Sequence, residues 1–206
     1  MAFVKKHPIA APAEAAELLH TEASLMAQLA DSDPALRRWA ARDLLNYPTA
    51  AAALVQRLQS EDDIAVREVI FTSLTRLGGA VAVAGLVQCL RSEDPSLRNE
   101  AIEAMKVLPD EVAPIMGGLL QDADSDVRIM AVNVLESLQH PDVEAWLIQV
   151  IEQDPVVNVC GAAVDLLTEV GTAAALGALQ RIKLRFADEP YIQFAASLAL
   201  KRIVPT

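Results

Sequence analysis

The sequence predicts an all-α fold, a right-handed α-solenoid of about six antiparallel helical hairpins, and three observations lead to it. An Asp followed four residues later by an Arg recurs along the chain: Asp33–Arg37, Asp63–Arg67, Asp94–Arg98 and Asp124–Arg128 stand 30, 31 and 30 residues apart. A fixed period of this length marks a repeat array, in which each unit buries its apolar face only against its neighbours. Within each copy the apolar residues recur at the spacing of one helix stripe, not in the alternation of a strand. Finally, 53% of the 206 residues are hydrophobic but only 4% are aromatic. The interior must therefore be assembled from alanine and aliphatic side chains, of which alanine and leucine are strong helix formers.

The elements follow in chain order. Residues 1–20 are set apart as an N-terminal segment, expected as a partly helical cap. Lys5 and Lys6 open it, but Pro8, Pro12, Glu14 and Glu17 interrupt any apolar run, so it does not read as a signal peptide. Residues 21–206 are expected as a single solenoid. Its corners fall at Asp33, Asp63, Asp94 and Asp124, then at a degenerate copy, Asp154-Pro-Val-Val-Asn158, and a weaker echo, Glu189-Pro-Tyr-Ile-Gln193. Pro34, Pro95, Pro155 and Pro190 are each expected to open a second helix, where a missing N–H costs nothing and a fixed φ helps. The third unit shows the grammar plainly. Ala80 to Leu90 is apolar and periodic, Arg91-Ser-Glu-Asp94 is a polar corner, and Leu97, Ala101, Ile102 and Met105 form one stripe. Pro48, Gly78-Gly79, Pro109, Pro141 and Gly171 close the units. In the fifth unit Asn158 stands where the others have Arg, with one extra residue before the stripe of Ala162 and Leu166. A bulge or a shifted helix start is expected there.

The unit resembles the short HEAT-like repeat of bilin lyase subunits and of many bacterial scaffold proteins. The residues that carry the likeness are the Asp–Arg pairs and the Ala-rich second helices (Ala40-Ala41, Ala101-Ile102, Ala131-Val132). It covers roughly Thr21 to Val204, and it speaks for fold far more than for function.

The Asp–Arg pairs have a structural reason. On a helical wheel Arg37 falls among Leu36, Ala40, Ala41 and Leu44, so it points to the packed side, where a guanidinium must be paired. The expected partners are the corner carboxylates Asp33 and Asp63 together with loop carbonyls. Repeated through Arg67, Arg98 and Arg128, this becomes a ladder that sets the register between hairpins.

Chemistry is harder to find. Twenty-eight acidic against 17 basic residues give a net charge of −11, which argues against nucleic acid and against anionic lipid. No uninterrupted apolar run is long enough to span a bilayer. Cys89 and Cys160 have neither disulfide nor metal spacing, so a reducing, cytoplasmic setting is expected. His7, His20 and His140 are scattered and form no His-Glu-x-x-His, and no metal is expected. No nucleophile elbow, phosphate loop or dinucleotide fingerprint occurs, so neither cofactor nor catalytic constellation is expected. Asp122-Ala-Asp124-Ser-Asp126 opens like a calcium loop, but its sixth and twelfth positions are Val127 and Asn133 where glycine and glutamate are required. An ordinary turn is the expectation. Cys160 has no His or basic run near it in sequence and reads as a core thiol.

What remains is a surface. The resemblance implies that second helices line a concave docking face. The positions opposite the core stripe are Arg38, Trp39 and Arg42 (with Asn46), then Glu68, Thr72 and Arg76 (with Val69), Asn99 and Glu103 (with Glu100), and Ile129, Met130 and Asn133. Trp39 between two arginines has the make-up of an interface hot spot. The competing reading packs Trp39 on Leu18 or Leu19 as an end cap. The function expected is a non-catalytic scaffold or adaptor that docks a partner protein on this face in a bacterial signalling or enzyme complex. The alternative is a subunit of a bilin lyase-type enzyme.

Overall fold

A computed structural model describes residues 21–203 of the chain. Twelve α-helices form among the described residues, paired into six hairpins, which is the α-solenoid the period predicts. The chain divides into two compact units, one ending at Leu77 and one beginning at Gly78.

The first unit holds two hairpins: α1 (Glu22–Gln28) with α2 (Pro34–Asp43), and α3 (Ala51–Leu58) with α4 (Ile64–Leu77). The second helices α2 and α4 pack side by side. Their seam is built on Ala40, Ala41, Ile70 and Leu74, all without solvent exposure, and the two alanines let the backbones approach. One polar group enters it: Ser73 Oγ donates to the Ala41 carbonyl at 2.9 Å, which satisfies a hydroxyl that would otherwise be costly to bury.

The second unit holds four hairpins: α5 (Gly79–Cys89) with α6 (Pro95–Lys106), α7 (Pro109–Leu119) with α8 (Ser125–Leu135), α9 (Val143–Gln153) with α10 (Val157–Val170), and α11 (Leu176–Arg185) with α12 (Pro190–Ile203). The second helices α6, α8, α10 and α12 form one row. Residues that sit eight after the cap of each second helix close the core from hairpin to hairpin. Ile102, Val132 and Val164 take that position and are all buried. In α12 it is Ser197, whose hydroxyl accepts from Lys183 Nζ at 2.8 Å. Lys106 bridges to Glu136 and Arg91 to Asp122, residues one period apart. Each pair has one exposed partner, Glu136 or Arg91, so solvent screening keeps its contribution small.

The helix starts follow from the corners. Asp33, Asp94 and Asp124 accept the N–H two residues on (2.9 Å each), and Asp63 accepts that of Val66 at 3.1 Å. These are N-caps, each worth roughly 1 kcal/mol. Pro34, Pro95 and Pro190 take the first helical position as expected. Pro155 does not: α10 begins at Val157 with Val156 as its N-cap. The shifted start expected in the fifth unit is therefore present, two residues later than Asp154 implies.

Gly78 and Gly79 carry positive φ, 62° and 77°, between α4 and α5. A Cβ on Gly78 would also lie 2.9 Å from Glu111 Oε1. Gly78→Ala should therefore cost about 1–2 kcal/mol, seen as a lower urea midpoint at unchanged slope. Gly117→Ala, on helix α7 with nothing within 4 Å, should instead stabilise by roughly 0.5–1 kcal/mol.

Candidate functional site

Two sets of side chains stand out from the packing: the buried corner ladder and the exposed row along the second helices.

The ladder holds, but with different partners from those expected. Arg37 is buried as the wheel predicts. Its Nε and Nη2 donate to Glu61 at 2.8 and 2.7 Å, and its Nη1 donates to the carbonyls of Asp31 and Ser32. Arg57 donates to the same carboxylate at 2.8 Å. Asp33 and Asp63 are occupied as caps and do not pair with Arg37. Arg128 repeats the geometry on Asp154 (2.6 and 3.1 Å) and on the carbonyls of Asp122 and Ala123. Arg98 donates to the Ser92 carbonyl at 2.7 Å, and Arg67 is buried in the same position. The carboxylate position is thus two residues before the cap of the next corner. Its side chain also accepts the cap's own N–H in five corners, through Asp31, Glu61, Ser92, Asp122 and Asp154. Burial alone would raise the Glu61 pKa, yet the Arg37 and Arg57 hydrogen bonds and the Asp63 N–H lower it to about 2.

In the fifth corner the shifted start puts Cys160, not Asn158, in the arginine's place. Cys160 Sγ lies 3.3 Å from the Asp154 carbonyl, and Arg185 of the next hairpin reaches over to donate to Cys160 Sγ (3.0 Å) and to the carbonyls of Asp154 and Glu152. A cation missing from the sequence neighbourhood of Cys160 is therefore present in space. In the sixth corner Gln193 serves, donating to the carbonyls of Lys183 and Phe186. Burial pushes both thiols up, Cys160 to about 11 despite Arg185 and Cys89 to about 11 with help from Glu100. Neither should react with Ellman's reagent at pH 8 in the folded chain. Denaturant should release both together, and a native-state reaction at Cys160 would contradict its burial.

The exposed row is regular. On the second helices the residues two, five and nine after the cap face outward, except that Ala65 and Ile129 are half-buried and Gly161 is buried. In the first unit Arg38, Arg42, Glu68 and Thr72 occupy it and are exposed, as is Arg76 one turn further. Trp39 is 48% exposed, with the Arg42 guanidinium 4.0 Å over its ring and Arg42 paired to Asp43. Leu18 and Leu19, the expected packing partners in the capping reading, lie outside the described residues. In the second unit Asn99, Glu103 and Asn133 are exposed, while Ile129 and Met130 are half-buried between helices.

The same row continues where the sequence reading did not follow it. On α10 it is Asn158, Gly161 and Asp165, and on α12 it is Tyr191, Phe194 and Leu198, which are 55%, 68% and 47% exposed. The Tyr191 hydroxyl donates to Asp165, and that carboxylate raises the phenol's pKa. A Cβ on Gly161 would meet the Tyr191 ring at 3.1 Å, so the glycine lets the ring lie across α10. The signal was present in the sequence as three apolar residues at i, i+3 and i+7 off the core stripe. On the first-helix side of this unit lies an apolar groove of about 700 Å³ between α5 and α7, over Val83, Ala84, Val87 and Ile115. Among the described residues no helix is long and apolar enough to cross a membrane.

A family model described as HEAT repeats matches residues 22–106 and 112–201. The bilin biosynthesis protein PecE of Mastigocladus laminosus is 41% identical over 75 residues, 35% of this chain and 28% of that protein. PecE of a Nostoc species is 37% identical over 75 residues, 35% of this chain and 30% of that protein. The chain thus matches less than a third of the length of these relatives. The crystal structure of Cex1p superposes with a TM-score of 0.53 at 17% identity, over 91% of this chain and 43% of that one, a likeness of fold alone.

Proposed function

The chain belongs to the HEAT repeat family, and we propose that it is a non-catalytic docking subunit that holds a partner protein on its second-helix face within a cytoplasmic bilin lyase-type assembly. The observation that carries docking is the exposed row itself. Trp39 under Arg42 in one unit and Tyr191, Phe194 and Leu198 in the other stand open while the core rows beside them are closed. Tryptophan, tyrosine and arginine are the residues on which interfaces concentrate their energy. The bilin setting rests on the two PecE likenesses and is favoured over a general signalling scaffold for that reason. Binding is expected to need little rearrangement of a pre-formed surface.

Affinity purification of the tagged chain from its native cells, with an absorption spectrum of what it retains, tests the proposal. A stoichiometric protein partner and a visible band of an open-chain tetrapyrrole are expected. Both should be lost with Trp39→Ala, Arg42→Glu, Met130→Glu if circular dichroism shows that variant folded. A partner without colour would move the chain to the general scaffold reading. No partner, with colour bound to the chain alone, would overturn the docking role.

A further inference from the structure

We infer that the α10–α12 end of the second unit docks a basic amphipathic helix of its partner protein, with apolar anchors on Tyr191, Phe194 and Leu198 and cationic residues on Asp165 and Glu169. This deepens the docking reading above and rests on it.

The outward row is polar on three of the four second helices of this unit, apart from Ile129 and Gly161. Only on α12 is every position of the row a large apolar side chain. Tyr191 and Leu198 are not leftover stacking surface, because their counterparts on α10, Asn158 and Asp165, stay exposed with α12 packed alongside, whereas the counterpart of Phe194, Gly161, is covered by Tyr191. Selection for solubility alone would leave such a stripe polar.

The neighbouring surface says what covers it. Between α8 and α10 runs a groove of about 230 Å³, floored by Val132, Ala162 and Leu166 and edged by Glu136, Asp165 and Glu169. Tyr191 joins stripe to groove, since its ring lies over Gly161 and its hydroxyl reaches Asp165. Glu136 is already bridged to Lys106, so the acidic edge is Asp165 and Glu169, and apolar anchors beside these two carboxylates match a helix that is apolar on one face and carries Lys or Arg along its flank. Lys201 and Arg202 are exposed at the far end of α12, so the cationic flank must lie over α8 and α10. Lipid headgroup phosphates and nucleic acid are disfavoured by the same carboxylates, in a chain of net charge −11.

The probe is a fluorescein-labelled peptide of about 18 residues, long enough for five turns, with Leu on one face and Lys on its flanks. Its counterpart carries Glu in place of Lys. Measured by anisotropy with the full chain at low salt, the Lys peptide should bind at least about tenfold more tightly. Phe194→Ser with Leu198→Ser, and separately Asp165→Lys with Glu169→Lys, should each weaken it about tenfold. Asp62→Lys with Glu93→Lys, which changes net charge equally at exposed corners, should leave affinity within about twofold. Equal binding of the two peptides, an equal loss in the corner variant, or Phe194-dependent sedimentation with phosphatidylglycerol vesicles would overturn the inference. If the peptide test fails while the Trp39, Arg42, Met130 variant still loses its native partner, this inference falls and the docking reading stands.

Discussion

Glu61→Ala should destabilise the unit that ends at Leu77 by about 3–5 kcal/mol, the cost of stranding a buried charge whose partner has been removed. The Glu61 side chain has no solvent exposure and Arg37 only 9%. Removing the carboxylate strips Arg37 of two hydrogen bonds, Arg57 of one and the Asp63 N–H of its acceptor. Urea unfolding followed by the fluorescence of Trp39, the one tryptophan of that unit, reads the loss. The wild type should show the same interaction as a pH dependence. The folded pKa, about 2, lies below the ordinary 4.5, so between those values the unfolded chain binds more protons. Stability from the pair is complete above about pH 4.5 and drains as the pH falls towards 2. It amounts to about 3 kcal/mol in all. The Glu61→Ala chain should lack that acid-limb slope.

Asp154→Ala should have a comparable effect in the second unit, about 3–5 kcal/mol. Asp154 holds Arg128 through two hydrogen bonds and caps the Val156 N–H, with side-chain exposures of 10% for Arg128 and 4% for Asp154. Arg128→Met combined with Asp154→Leu should recover much of the loss, because an apolar pair removes both charges instead of orphaning one. It should not recover all of it, since the cap on Val156 is still missing, worth roughly 1 kcal/mol. A double variant no more stable than Asp154→Ala would show that the cap, not the ion pair, carries the position.

The two sites differ in how far the sequence disclosed them. The hairpins and the inward arginines were legible because each repeat restates them, so position 37 is interpreted by positions 67, 98 and 128. The partner carboxylate was not. Asp33 and Asp63 are the more regular acids, and their regularity comes from capping, which consumes the same oxygen a guanidinium would need. Asp31, Glu61, Ser92, Asp122 and Asp154 vary in kind, and only geometry shows that all five accept the same N–H. Counting from Asp154 placed Asn158 in the arginine's position. The helix in fact starts after Val156, which brings Cys160 there and calls Arg185 in from 25 residues away. The docking row was read from Arg38 to Asn133 but not into α12, whose apolar stripe at i, i+3 and i+7 lies off the core face and follows a degenerate corner.

The central claim is that the second-helix face, and not the first-helix groove, holds the partner. Hydroxyl-radical footprinting of the chain alone and in its purified native complex tests it most directly. Within each unit the reporters are distinct: Trp39 in the first, and in the second the exposed Tyr191 and Phe194 against the half-buried Val87 and Ile115 of the groove. Protection of Trp39, Tyr191 and Phe194 with Val87 and Ile115 unchanged is the expected result. Protection of Val87 and Ile115, with Phe194 and Trp39 oxidised as in the free chain, would contradict the account and move the partner to the groove between α5 and α7.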